Sequence, residues 1–377
     1  MLVKGDEWSV MSPALSIYLD LVRFAAAFIV FLSHAAFSNY SSGWLSGFSE
    51  YGPQAVMVFF VLSGFVITYV TDTRTPSTRR FITDRAARIY SVALPALLVT
   101  CIADKIGMTL DPQLYYCCID YGNPILDIAV SSLFLNEIWF YGLQPFSNGP
   151  YWSISYEVAY YVLFAVLLFA PTRWRFPMAG LTCLVIGPPI LLLAPVWFIG
   201  VGAYYITRSI DGSLGFGLLL FAGSIVAFLM LDVFDIPQSL QTWTDARLGE
   251  TGVAMLRQSR FVLTDYLLGL VVACNFVGAV MIGRNIQRVP EWLGRPIRYM
   301  AGFTFSLYLY HLPLLLVFSV VLDHDPASAF DQAILYTLTL VTVWLLGLFT
   351  EQKKDVFREV IDRAWNVVTR TLRPPAL

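Results

Sequence analysis

Arg23 and His34 stand eleven residues apart in the apolar run YLDLVRFAAAFIVFLSHAAF, residues 18–37. Charged and titratable side chains are costly in hydrocarbon unless partnered, so each of the two needs a reason. Eleven helical residues advance ~16 Å along the axis and return to within ~20° of the starting direction. The spacing therefore puts the guanidinium and the imidazole on one face of a membrane helix. It expects the cation near the cytoplasmic entrance and the imidazole about halfway through a ~30 Å core. Asp20, one turn before Arg23, can pair with it. An imidazole in that place can act as a general base, or it can serve only as an interhelical hydrogen bond that holds the bundle.

A second constellation lies in GPYWSISYEVAYYVLF, residues 149–164. Glu157 follows a glycine-proline turn, within the first turns of an apolar helix entering from outside, and Ser153 shares its face four residues earlier. The carboxylate needs a donor, and His34 rising from the other side is the expected one. A carboxylate beside an imidazole fixes its tautomer and favours its protonated form. The plainer reading is a helix-start glutamate stabilised by the helix dipole. In RRFITDRAARIYSVALP, residues 79–95, Arg85 and Arg88 are three apart and suit a phosphate clamp, or else an ordinary cytoplasmic charge run. In FTFSLYLYHLPLLLVF, His311 lies near mid-helix just before Pro313, as a second polar element of the same cavity or as a packing histidine. Ser63 and Gly64 in FFVLSGFVI read as small residues that allow close helix approach, and His324 reads as a loop histidine.

The elements that must position these groups follow from composition. The chain has 377 residues, 57% of them hydrophobic and 13% charged, with a mean hydropathy of +0.66, which together place it in a bilayer as an all-α membrane protein. A net charge of -2 gives no basic excess, and no nucleic-acid partner is expected. The first apolar run shows no obvious cleavage site and is expected to remain as the first transmembrane helix. Cysteines 101, 117, 118, 183 and 274 have neither metal-ligand spacing nor an even disulfide framework, so they read as structural and no metal is expected.

Candidate spans are 17–37, 53–70, 89–103, 152–170, 177–193, 196–208, 214–231, 261–282, 300–320 and 331–350. Segment 125–141, ILDIAVSSLFLNEIWFY, is an eleventh candidate, and counting basic residues decides its status. With the N-terminus in the cytoplasm and 125–141 not crossing, the cytoplasmic side receives Lys4, Arg74, Arg79, Arg80, Arg85, Arg88, Arg173, Arg175 and Arg208. It also receives Arg284, Arg288, Arg295, Arg298, Lys353, Lys354, Arg358, Arg363, Arg370 and Arg373, making nineteen of the 24 Lys and Arg. Only Lys105, Arg247, Arg257 and Arg260 then lie outside. If 125–141 crossed, thirteen of the nineteen would move out. The expectation is a bundle of about ten helices with both termini cytoplasmic. It forms one transmembrane domain over 1–350, followed by a cytoplasmic amphipathic tail over 351–377. The aromatic, turn-rich outer segments 104–151 and 232–260 suit contact with a sugar-like acceptor, or an interfacial aromatic belt.

LDLVRFAAAFIVFLSH, FFVLSGFVI, RFITDRAARIY, YWSISYEVAYY and FSLYLYHLPL resemble, in order, the signatures of the acyltransferase-3 family of integral membrane acyltransferases. The resemblance runs from about residue 15 to 350. It implies an acyl-CoA donor, usually acetyl-CoA, drawn from the cytoplasm. It also implies an acceptor hydroxyl on a cell-surface or secreted glycan, at the inner (plasma) membrane of a bacterium. By matching position it makes His34 the catalytic histidine, Arg23 the essential helix-1 arginine and Glu157 the motif glutamate. Arg85 and Arg88 match the pair linked to coenzyme A, while Trp152, Ser153 and His311 are expected at the substrate. VRFAAA departs from the commoner leucine-arginine-glycine pattern. The rival readings are a secondary transporter or flippase for a lipid-linked sugar or small organic anion, and a non-catalytic subunit of a glycan assembly complex. Monomer and homo-oligomer both remain open, as do the acceptor and the acyl chain.

Overall fold

The computed structural model describes residues 11–74, 77–116, 121–286 and 288–371. Lys4, Cys117, Cys118 and Arg373 lie outside the described residues. The helices are α1 (Pro13–Ala35), α2 (Tyr51–Arg74), α3 (Thr78–Leu110), α4 (Pro112–Tyr116), α5 (Pro124–Ser132), α6 (Trp152–Phe169), α7 (Thr172–Ile186) and α8 (Pro188–Ser209). They continue with α9 (Leu214–Val233), α10 (Ile236–Leu256), α11 (Val262–Gly283), α12 (Glu291–Ala301), α13 (Thr304–Val321), α14 (Ala329–Phe349) and α15 (Lys354–Thr371). No strand occurs among the described residues. Among the described residues, nine helical stretches are long and apolar enough to cross a membrane. Large apolar side chains such as Leu98, Ile102, Val162, Phe176, Leu219 and Phe330 are exposed on their outer faces, as a lipid solvent permits.

Local chemistry sets the helix ends. Ser12 caps α1 by accepting from the Leu15 N–H at 3.1 Å, with Pro13 at the first helical position. Ser77 caps α3 by accepting from the Arg80 N–H. At 33 residues α3 is ~50 Å long, far longer than the expected 89–103 span, and it carries Arg85 and Arg88 as helical residues. Segment 125–141 forms only the nine-residue α5 followed by turns, with left-handed backbone at Phe134 and Trp139.

The break expected near 194–195 lies instead at Gly187. That residue has φ 84, which favours glycine, and two prolines then open α8. Pro195 sits inside α8, because neighbouring helices tolerate a proline there. With only 15 residues, α7 is shorter than the nine apolar stretches, and it leads from the end of α6 to Ile186. There the Trp139 N–H donates to the Ile186 carbonyl at 3.1 Å.

One end of the bundle is basic. There Arg208 pairs with Asp72, Arg79 with Asp362 and Arg358 with Asp84, the last two tying α15 to the start of α3. Inside, α2 crosses α8 at Gly64 and Gly200. A Cβ on Gly64 would come within 2.1 Å of the Trp197 carbonyl, and one on Gly200 within 2.0 Å of the Val61 carbonyl. That close approach brings α6, α2 and α8 together around the polar residues described next.

Candidate active site

α1 presents Arg23 and His34 to two different cavities. The inner one, about 80 Å³ and nearer the basic end, is lined by Arg23, Arg85, Arg88, Glu157, Ser63 and Tyr161 among others. The outer one, about 770 Å³, holds His34, Trp152 and the loop residues Gln144 and Gln258. Val56 and Tyr308 line both and form the partition between them. The Tyr308 hydroxyl is fixed 2.7 Å from Ser153 Oγ and donates to the Pro150 carbonyl at 3.1 Å.

The inner cavity gathers three cations. Arg23 bonds Asp20 at 3.2 Å, as its spacing predicts, and lies close enough to Arg88 for mutual repulsion. No ion pair is formed by Arg85 or Arg88 among the described residues, so the cavity has positive charge to spare for an anion.

Glu157 belongs to this cavity and not beside His34. Its Oε1 accepts from Ser63 Oγ at 2.6 Å and from the Tyr161 hydroxyl at 2.5 Å, and the Trp197 indole donates to Ser63 at 3.2 Å. The pairing with His34 fails because of helix ends. α1 stops at Ala35, so His34 occupies its last turn. Glu157, by contrast, lies eight residues, ~12 Å, beyond Gly149, where the outer loop turns inward towards α6. Ser63 thus has a polar role besides the close packing expected of it.

The partner of His34 is His311, fully buried in α13. His34 Nδ1 lies 3.0 Å from the Val30 carbonyl and 2.9 Å from His311 Nε2. His311 Nδ1 lies 2.7 Å from the Leu307 carbonyl. Carbonyls only accept, so His311 Nδ1 carries a hydrogen and its Nε2 offers a lone pair. His34 Nδ1 must then be the donor, which leaves His34 Nε2 with its lone pair and no partner among the described residues. Tyr308 and His311 are three residues apart on one face of α13, so that face runs from the partition to the histidine pair. The start of α13 is anchored by Glu351, whose carboxylate accepts from the Ser306 and Phe305 N–H groups at 2.8 and 3.3 Å. No sequence spacing pointed to that cap.

Cys101, Cys183 and Cys274 are unpaired. No cluster of three or more His, Cys, Asp or Glu suited to a metal occurs among the described residues.

A family model described as an acyltransferase domain, that of acyltransferase-3, matches residues 16–349. The chain belongs to the acyltransferase-3 family. It is 28% identical over 237 residues to the exopolysaccharide production protein ExoZ of Rhizobium meliloti (strain 1021), covering 58% of this chain and 72% of that protein. It is also 28% identical over 153 residues to an O-acetyl transferase of Shigella phage Sf6, covering 39% of this chain and 44% of that protein. No solved structure matches. As a member of this family with several apolar spans, the acyltransferase-3 chain is a multi-pass membrane protein.

Proposed function

We propose that this acyltransferase-3 protein moves an acyl group, acetyl first among them, from acyl-CoA to a hydroxyl of a cell-surface or secreted glycan. The observation that carries the reading is the division of Arg23 and His34 between two cavities that meet at Val56 and Tyr308. An anion-binding cavity at the basic end fits the phosphates of coenzyme A, and a wide polar cavity at the other end fits a sugar. The name of the Rhizobium relative speaks of exopolysaccharide, and that of the phage relative of acetyl transfer to oxygen.

In this reading the chain crosses a bacterial plasma membrane ten times, α7 counted between α6 and α8, with the basic end and both termini cytoplasmic. Arg85, Arg88 and Arg23 hold the donor's phosphates while its thioester reaches the partition. His34 Nε2 takes the proton of the acceptor hydroxyl, whose oxygen attacks the thioester carbonyl. The tetrahedral intermediate collapses, the C–S bond breaks, and the coenzyme A thiolate leaves with the proton from His34. His311 accepts from His34 Nδ1–H throughout, which orients the ring and supports the imidazolium as it forms. Glu157, held by Ser63 and Tyr161, orders the arginines of the donor cavity.

The test is transfer of label from acetyl-CoA to extracted envelope glycan by the purified protein in liposomes. Label in glycan with the intact protein and none with His34→Ala supports the reading; equal labelling by both removes His34 from the chemistry.

A further inference from the structure

Asp265, in the first turns of α11, lines the outer cavity with its side chain only 5% exposed. Its carboxylate has no hydrogen-bond or ion-pair partner among the described residues. A carboxylate buried in that way is costly unless something donates to it. Arg260, on the same wall, has its guanidinium 4.6 Å from the Phe261 ring and forms no ion pair with Asp265. Gln144 donates one amide hydrogen to the Phe146 carbonyl at 3.0 Å and makes no hydrogen bond to Asp265.

The carboxylate thus faces the cavity with its acceptor capacity free for a ligand that enters there. An acyl chain brings no donor to Asp265, and a simple anion, which Arg260 could meet, brings none either. A neutral polyhydroxyl compound satisfies it, because adjacent hydroxyls of a sugar ring can both donate to one carboxylate. The half-buried Trp152 supplies an apolar face for such a ring on the same cavity, while Gln258 can hydrogen-bond in either sense. At about 770 Å³ the space is within the ~300–1,000 Å³ usual for small-molecule sites.

We propose that Asp265 binds the acceptor, its carboxylate accepting from two neighbouring hydroxyls of a neutral hexopyranose unit while another hydroxyl of the acceptor meets His34. This rests on the acyl-transfer reading, and the two can fail separately.

The experiment uses the full chain in nanodiscs and polysaccharide extracted from the producing cells. A hydrophobic carbodiimide is allowed to label carboxyl groups, and the rate at Asp265 is followed by peptide mass spectrometry. The polysaccharide should slow that rate about tenfold, while acetyl-CoA alone leaves it unchanged. In the transfer assay, Asp265→Asn should raise the KM for polysaccharide about 10- to 100-fold, the effect of losing hydrogen bonds to a charged group, with the KM for acetyl-CoA unchanged. Transfer without protection overturns the Asp265 site and leaves acyl transfer standing. Protection without transfer keeps the site and overturns the reaction. Absence of both overturns both. Since labelling is read on the unaltered protein, a variant that fails to fold does not rescue the proposal.

Discussion

His311 Nε2 sits 2.9 Å from His34 Nδ1, although 277 residues separate them in the chain. The contact gives His34 the kind of orienting acceptor that a carboxylate supplies in many hydrolases, but without a buried negative charge. A neutral acceptor suits a membrane interior, where an unpaired carboxylate is expensive.

Removing that acceptor should slow the chemistry without loosening either substrate. His311→Ala is expected to lower kcat at least ~10-fold with both KM values near those of the intact protein. His311→Gln, whose amide oxygen can still accept from His34 Nδ1, should recover part of the loss. Equal kcat in the alanine variant and the intact protein, or no recovery with glutamine, would show that His311 only packs.

Arg85 has a different task. Arg85→Ala should raise the KM for acetyl-CoA about 10- to 100-fold, the scale of a lost charge-assisted hydrogen bond, and leave kcat for bound donor largely intact. Steady-state kinetics with varied acetyl-CoA checks this. A fall in kcat with an unchanged donor KM would remove Arg85 from phosphate binding.

Much of this arrangement was readable from the sequence, and the failures share a cause. Helix pitch predicts a shared direction for Arg23 and His34, which line separate cavities, while Arg85 and Arg88 both line the inner one. Charge counting separated 125–141 from the crossing segments, and α5 is indeed too short to cross. Relations within one helix depend only on its pitch. The pairing of Glu157 with His34 failed because it depends on depth, which is set by where α1 ends and where the chain turns into α6. The His34–His311 contact spans 277 residues and Glu351 reaches Ser306 across 45, so neither pairing follows from the pitch of one helix. The gap expected between 177–193 and 196–208 falls at Gly187 instead, since a membrane helix absorbs Pro195 while φ 84 needs a glycine.

Glu137, in the outer loop beyond α5, offers a test on stability. Burial pushes its carboxyl up to about 7, with Arg257 pulling the other way. The folded protein therefore holds this proton more tightly than the unfolded chain. Relative to an ordinary glutamate, its contribution is fully present below about pH 4.5 and is lost as the pH rises to about 7. On that basis Glu137→Gln should flatten the pH dependence of Tm between pH 5 and 8, removing up to about 3 kcal/mol of loss. Parallel melting curves for the variant and the intact protein would show that the carboxyl titrates normally.

The most direct test of the two-cavity account supplies the substrates on opposite sides. Proteoliposomes of uniform orientation receive labelled acetyl-CoA only on the basic face and glycan only on the other. The account predicts labelled glycan with the intact protein, and at least ~100-fold less with His34→Ala that retains donor binding. Label appearing only when both substrates share one face, or at equal rates with and without the imidazole, would contradict it.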